Sequence, residues 1–207
     1  MQNAKVLKIF TQKDVFPNME IVEVEFEDRL TGKSIIVDSD DKIALVGSTV
    51  NHIYTLPGGG IDKDENIEAG IIREAKEETG CDIEISSMLG IIYDYRNRDK
   101  KHCITYCAIS EVAGEKHDPK LTEEEKKNGL HVKWCNKKEA LDILEYEYKK
   151  VLNGEISFYN TAYNVFRDYE FLKEYLNGTL TSTSEWFSFQ NRELSKFLLY
   201  FELHKFS

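Results

Sequence analysis

Hydrophobic and polar positions change their period several times along this chain, and each change marks an element. Val22, Val24 and Phe26 alternate with Glu23, Glu25 and Glu27, a period of two that predicts a half-exposed strand. Apolar runs at 34–37 and 43–46 flank the tetrapeptide DSDD and predict a hairpin. A run at 53–56, two long ones at 83–95 and 102–112, and a last one at 131–134 complete the strands. Between them the period becomes helical. Asn66 is a suitable N-cap, Gly80 a suitable stop, and Ile71, Ala75, Thr79 and Ile72 form an apolar stripe. Residues 137–150 and 157–176 read as further helices, the second with Ala162, Val165, Phe166, Tyr169 and Leu172 on its apolar side. Strands around one central helix, then more strands and helices, predict a mixed α+β fold, an α/β/α sandwich.

The central helix carries unusual chemistry. Glu74, Glu77 and Glu78 stand at i, i+3 and i+4, which places three carboxylates on one side of one turn, bordering the apolar stripe. Like charges so placed repel by a few tenths of a kcal/mol per pair, roughly, even in water. A cation held between them reverses that sign. Pro57 and three glycines, Gly58 to Gly60, precede the helix, and a carbonyl of this turn can face the same cation. Hard oxygen donors suit Mg²⁺ or Mn²⁺, whereas zinc recruits His or Cys.

Residues 59–81 read GGIDKDENIEAGIIREAKEETGC, which resembles the 23-residue box of the Nudix hydrolases. Gly59, Glu65, Arg73, Glu74, Glu77, Glu78 and Gly80 fill its seven fixed positions. At roughly one in fifteen per position, chance supplies such a match on the order of 10⁻⁸ times per start. The resemblance implies an α/β/α sandwich of the Nudix type and metal-dependent cleavage of a pyrophosphate bond in a nucleoside diphosphate linked to another group. It implies that Glu74, Glu77 and Glu78 act as catalytic and metal-binding carboxylates and that the Gly58 or Gly59 carbonyl is the turn ligand. Arg73 and Glu65 become a pair that braces the loop and helix. The family often adds an acid from a later loop, and Glu124 and Glu125 in LTEEEKKNG are the candidates.

Arg96, Arg98, Lys100 and Lys101 form the dense basic cluster nearest the box, and with Tyr95 they are candidate contacts for phosphate or base. The implied substrate is of the nucleoside triphosphate type. The alternatives are ADP-ribose or another nucleotide sugar, or a nucleotide sensor that has lost hydrolysis. The resemblance also weakens the ADP-ribose option, because ADP-ribose hydrolases of the family usually show a proline soon after the box and none lies between Gly90 and Lys101.

Composition narrows the partners. Over 207 residues the net charge is −10, which argues against a nucleic-acid surface. No run reaches the ~18 apolar residues of a membrane span, and no basic-apolar leader opens the chain. Cytoplasmic residence is the resulting expectation. The four cysteines lack C-x-x-C spacing, and Cys103 and Cys107 are expected to share a face as buried thiols. Residues 1–176 form the expected Nudix domain. Residues 177–184 are a polar connector to an extra C-terminal helix rich in aromatics (Trp186, Phe187, Phe189, Phe197, Phe201), whose apolar surface is expected to be covered by its own domain, by a homodimer contact or as a substrate lid.

Overall fold

Which strand meets which is decided by where each apolar run finds a ladder partner. In the computed structural model, which describes residues 5–180, the order is β1 (Val6–Phe10), α1 (Gln12–Val15), β2 (Glu27–Val37), β3 (Ile43–Ser48), β4 (Ile53–Thr55), α2 (Ile67–Thr79), β5 (Cys81–Arg96), β6 (Lys101–Lys116), α3 (Glu123–Lys127), β7 (Leu130–Cys135), α4 (Lys137–Leu152) and α5 (Tyr159–Leu180). Contacts divide the chain into two units, Met1–Leu172 and Lys173–Ser207, with the boundary inside α5. The expected aromatic C-terminal helix and its dimer contact lie outside the described residues. Among those described, no helix is long and apolar enough to cross a membrane.

Six strands run in the order β1-β5-β6-β2-β3-β4, and β7 pairs with β3. The sheet is mixed: β1 runs parallel to β5 and β2 to β6, while the other pairs are antiparallel. β2 touches β3 only at Val37 and Ile43, so the two diverge beyond the hairpin. The glycine turn fills the opening. Pro57 and Gly59 carbonyls accept from the Ser34 and Gly32 amides, and the Ile61 amide donates to Leu30. The turn is therefore laid along β2 as a short extra strand.

Side chains alternate across β2, and the two faces meet different helices. Ile36, Ala44, Ile83 and Ala108 pack with Ile67, Ile71 and Ala75 of α2 in one buried cluster. On the other face Thr105 meets Arg167 of α5. This is the expected sandwich. Cys103 and Cys107 share that second face and are buried, as their spacing predicted.

Four expectations are corrected. Residues 21–26 are not a strand, because β2 gains its neighbour β6 only from Glu27 opposite Lys101. Ile72 is 37% exposed, since it lies just past the edge of the stripe that Ile67, Ile71 and Ala75 bury. The acidic run after β6 contains a short helix, α3, nucleated by a Thr122–Glu125 capping box. The last described helix continues through Asn177 and Gly178, because one glycine costs only about 1 kcal/mol in a helix.

Both ends of α2 follow local chemistry. Asn66 accepts from the amides of Glu68 and Ala69. Gly80 turns left-handed at φ 71° and donates to Lys76. A β-carbon at Gly80 would strike the His117 carbonyl, which lies in the segment that returns to hold the helix end. Gly80→Ala is expected to lower stability by about 1–3 kcal/mol, combining strain and clash. Thermal unfolding measures it, and an unchanged midpoint would refute the cap's importance.

Candidate active site

The three glutamates of α2 emerge where the helix crosses the glycine turn. Glu78 reaches the turn directly, its Oε2 accepting from the Gly58 amide at 2.6 Å. Glu74 lies against Gly59, so close that a β-carbon there would stand 2.5 Å from Oε2. Gly58 itself sits on β2 with φ +126°, where its missing side chain leaves room for the Gly32 carbonyl.

Arg73 organises the outer side. Its Nε and Nη2 donate to the two Glu65 oxygens, both at 2.9 Å, and Nη2 also donates to the Gly60 carbonyl at 3.0 Å. Nη1 reaches Glu74 at 2.8 Å and Glu77 at 3.3 Å. The arginine hydrogen bonds hold the Glu65 carboxyl down at about 2, and the same bonds from Glu65 and then Glu74 raise Arg73 further. Arg73 thus ties the loop to the helix and restrains two acids of the cluster.

Glu78 is shifted in the opposite direction to Glu65. Burial of its carboxyl pushes it up to about 7, opposed by the Lys33 ammonium and the Gly58 amide and reinforced by the charges of Glu74 and Glu125. Glu74, Glu78 and Glu125 therefore share one field, although Glu125 arrives from α3. Its Oε2 accepts from the amide and hydroxyl of Thr122, which fixes the side chain in the capping box. Glu124, the other candidate, is exposed, and Glu77 has its side chain 47% accessible against 16% for Glu74.

The donor types fit a hard divalent cation: Glu74, Glu77, Glu78 and Glu125 offer carboxylate oxygens whose mutual repulsion such an ion would relieve. Among the described residues, however, no three acids, histidines or cysteines converge closely enough to hold one as they stand. Glu74 and Glu77 are turned toward Arg73 instead. The Gly58 carbonyl, expected to face the cation, accepts a 2.6 Å hydrogen bond from Lys33 Nζ, and the Gly59 carbonyl accepts from the Gly32 amide.

The basic cluster is not brought to this place. Lys33 stands opposite Cys107 and Glu27 opposite Lys101, so the hairpin tip lies six residues along β2, about 20 Å at the usual rise. Arg96 is corrected from candidate substrate contact to buried structural ion, 6% exposed and bonded to Asp94, Asn160 and Asn164. Arg98 pairs with Asp99 and lies 4.0 Å over the Tyr159 ring. Lys100 occupies the turn with φ 52°. Tyr95 stacks on His102 with centroids 4.4 Å apart.

Sequence reasoning missed the polar layer beneath the turn. Asp168 accepts from the Leu56 amide at 3.1 Å and from Arg167 Nε at 3.0 Å, and lies 3.9 Å from Lys33 Nζ. An Arg-Asp pair inside an aromatic-rich helix was the available signal, because such a pair has no reason to sit there unless it is buried and matched.

The NUDIX domain model matches residues 29–153, more than half of the chain. A protein of Methanocaldococcus jannaschii named ADP-ribose pyrophosphatase is 36% identical over 83 residues, covering 38% of this chain and 48% of its own. A Bacillus subtilis protein named putative 8-oxo-dGTP diphosphatase is 31% identical over 68 residues, covering 33% and 46%. The chain therefore spans less than half of either relative. A solved NUDIX hydrolase of Nitrosomonas europaea shares the fold at TM-score 0.50 and 18% identity, over 68% of this chain and 89% of that one. With the box filled, the sandwich in place and the domain model matched, this chain is a member of the Nudix family.

Proposed function

We propose that the protein is a divalent-metal-dependent pyrophosphohydrolase whose substrate is of the nucleoside triphosphate type. The observation that carries this reading is the shared field of Glu74, Glu78 and Glu125 around the Gly58 corner, with Glu78 pushed up to about 7 by burial first and those charges after it. Mg²⁺ or Mn²⁺, when bound, supplies charge to the phosphate oxygens and acidifies the attacking water. The acids position that charge, and one of them accepts the proton. Water oxygen bonds to one phosphorus as the bridging P–O bond breaks, and the leaving phosphate keeps the bridging oxygen. A nucleoside triphosphate cleaved at its α-phosphorus gives the monophosphate and pyrophosphate.

The B. subtilis relative's name supports a triphosphate, while the M. jannaschii relative's name favours a nucleotide sugar as the second reading. Products separate them, because a nucleotide sugar yields a nucleoside monophosphate and a sugar phosphate. A panel of triphosphates, nucleotide sugars and dinucleotides, each with Mg²⁺ or with chelator, tests both. Pyrophosphate from triphosphates that vanishes on chelation is expected. Nucleotide binding without any hydrolysis in Mg²⁺ or Mn²⁺ would make the protein a sensor instead.

A further inference from the structure

Lys33 brings a cation into the site from outside the box. β2 directs it into the layer beneath the glycine turn, where it is 6% exposed. Its Nζ donates to the Gly58 carbonyl at 2.6 Å and the Leu56 carbonyl at 2.8 Å. Asp168 is farther, at 3.9 Å, and already receives Arg167. The near shell of this ammonium is thus two neutral carbonyl oxygens, with the Asp168 and Glu78 charges behind them. Neutral carbonyls backed by carboxylates are what a hard metal ion seeks. Gly58 is held from both sides, its amide by Glu78 and its carbonyl by Lys33.

We propose that Lys33 is a built-in cation that occupies the Gly58 carbonyl and excludes a divalent ion from it, leaving metal recruitment to the glutamates. The inference rests on the hydrolase reading and makes Lys33 a positioning residue: it fixes the turn and limits how many ions the site accepts. A divalent ion sharing that oxygen would stand beside a buried ammonium in a poorly screened corner, and the like charges repel. Without the ammonium, the same carbonyl and Glu78 become a vacant oxygen site.

The test counts ions. Full-length wild type, Lys33→Met and Lys33→Arg are titrated with Mn²⁺, and free Mn²⁺ is read by electron paramagnetic resonance. Lys33→Met is expected to bind about one further ion per chain than wild type, while Lys33→Arg, which keeps the charge, matches wild type. An equal or smaller number in Lys33→Met overturns the proposal and leaves the hydrolase reading standing. No Mn²⁺ bound by any form sinks both. If Lys33→Met does not fold, Lys33→Ala, which is also neutral and leaves Asp168 paired with Arg167 at 3.0 Å, takes its place in the titration. A further ion in that variant supports the proposal, and an equal or smaller number overturns it.

Discussion

Glu78→Gln should lower turnover by about 10³-fold or more, the scale of losing one charged group from a preorganised site. The substitution is nearly isosteric, and the new amide oxygen still accepts from the Gly58 N–H that Glu78 holds at 2.6 Å. What disappears is the negative charge at the point where burial and the fields of Glu74 and Glu125 concentrate. Turnover close to wild type in saturating Mg²⁺ would remove Glu78 from the chemistry and weaken the hydrolase reading with it.

The same variant should gain stability when the metal is chelated. Glu78 rises from the usual 4.5 to about 7 on folding, burial being the main cause. Its folded form therefore binds more protons than its unfolded form between those values. The stability it contributes is complete below pH 4.5 and is lost as pH climbs through 7. The full loss is on the order of 3 kcal/mol. Glutamine cannot ionise and escapes it, so the gap between the two proteins should open from pH 4.5 to 7 and stay constant above. Glu65 acts in the opposite sense, held down to about 2 by Arg73: its contribution is present above pH 4.5 and fades as pH falls toward 2. Urea unfolding across pH with chelator present checks the pair, and a gap that fails to widen toward pH 7 would refute the strained carboxyl. Activity lost while stability is gained is the signature of a charge kept for function.

The parts of this protein that were legible in its sequence are those governed by near neighbours. Asn66 and Gly80 bound α2 through contacts within four residues, and the box acids follow from helical spacing. The DSDD hairpin closes on Val37 and Ile43 as its flanks predict. Illegible parts depend on residues distant in sequence. Val22, Val24 and Phe26 alternate correctly yet form no strand, because alternation describes a face and not a partner. Lys33 lies just before the apolar run at 34–37 and carries no mark in the sequence, and only the meeting of β2, the glycine turn and Asp168 makes it part of the site. Between Glu124 and Glu125 the sequence offered a usable sign: Thr122 and Glu125 have capping-box spacing, which aims one acid and leaves the other in water.

Arg96→Ala should cost about 3–5 kcal/mol of stability, the range for breaking a buried ion pair from one side. Asp94 is 0% exposed and receives Arg96 through Nε at 2.5 Å and Nη2 at 3.3 Å. The remaining guanidinium edge meets Asn160 and Asn164, four residues apart on one face of α5, at 3.0 and 3.1 Å, and its plane lies 5.0 Å from the Tyr163 ring. Alanine would strand a carboxylate and two amide oxygens between β5 and α5, where water does not readily replace the lost donors. A substrate-binding arginine behaves differently: its removal raises KM about tenfold or more and leaves unfolding almost unchanged. Urea unfolding and KM on the same preparation therefore decide the role. Arg96→Met with Asp94→Asn should recover part of the stability, because the stranded charge goes with its partner. A raised KM with an intact unfolding midpoint would return Arg96 to the substrate and overturn its placement as an internal strut.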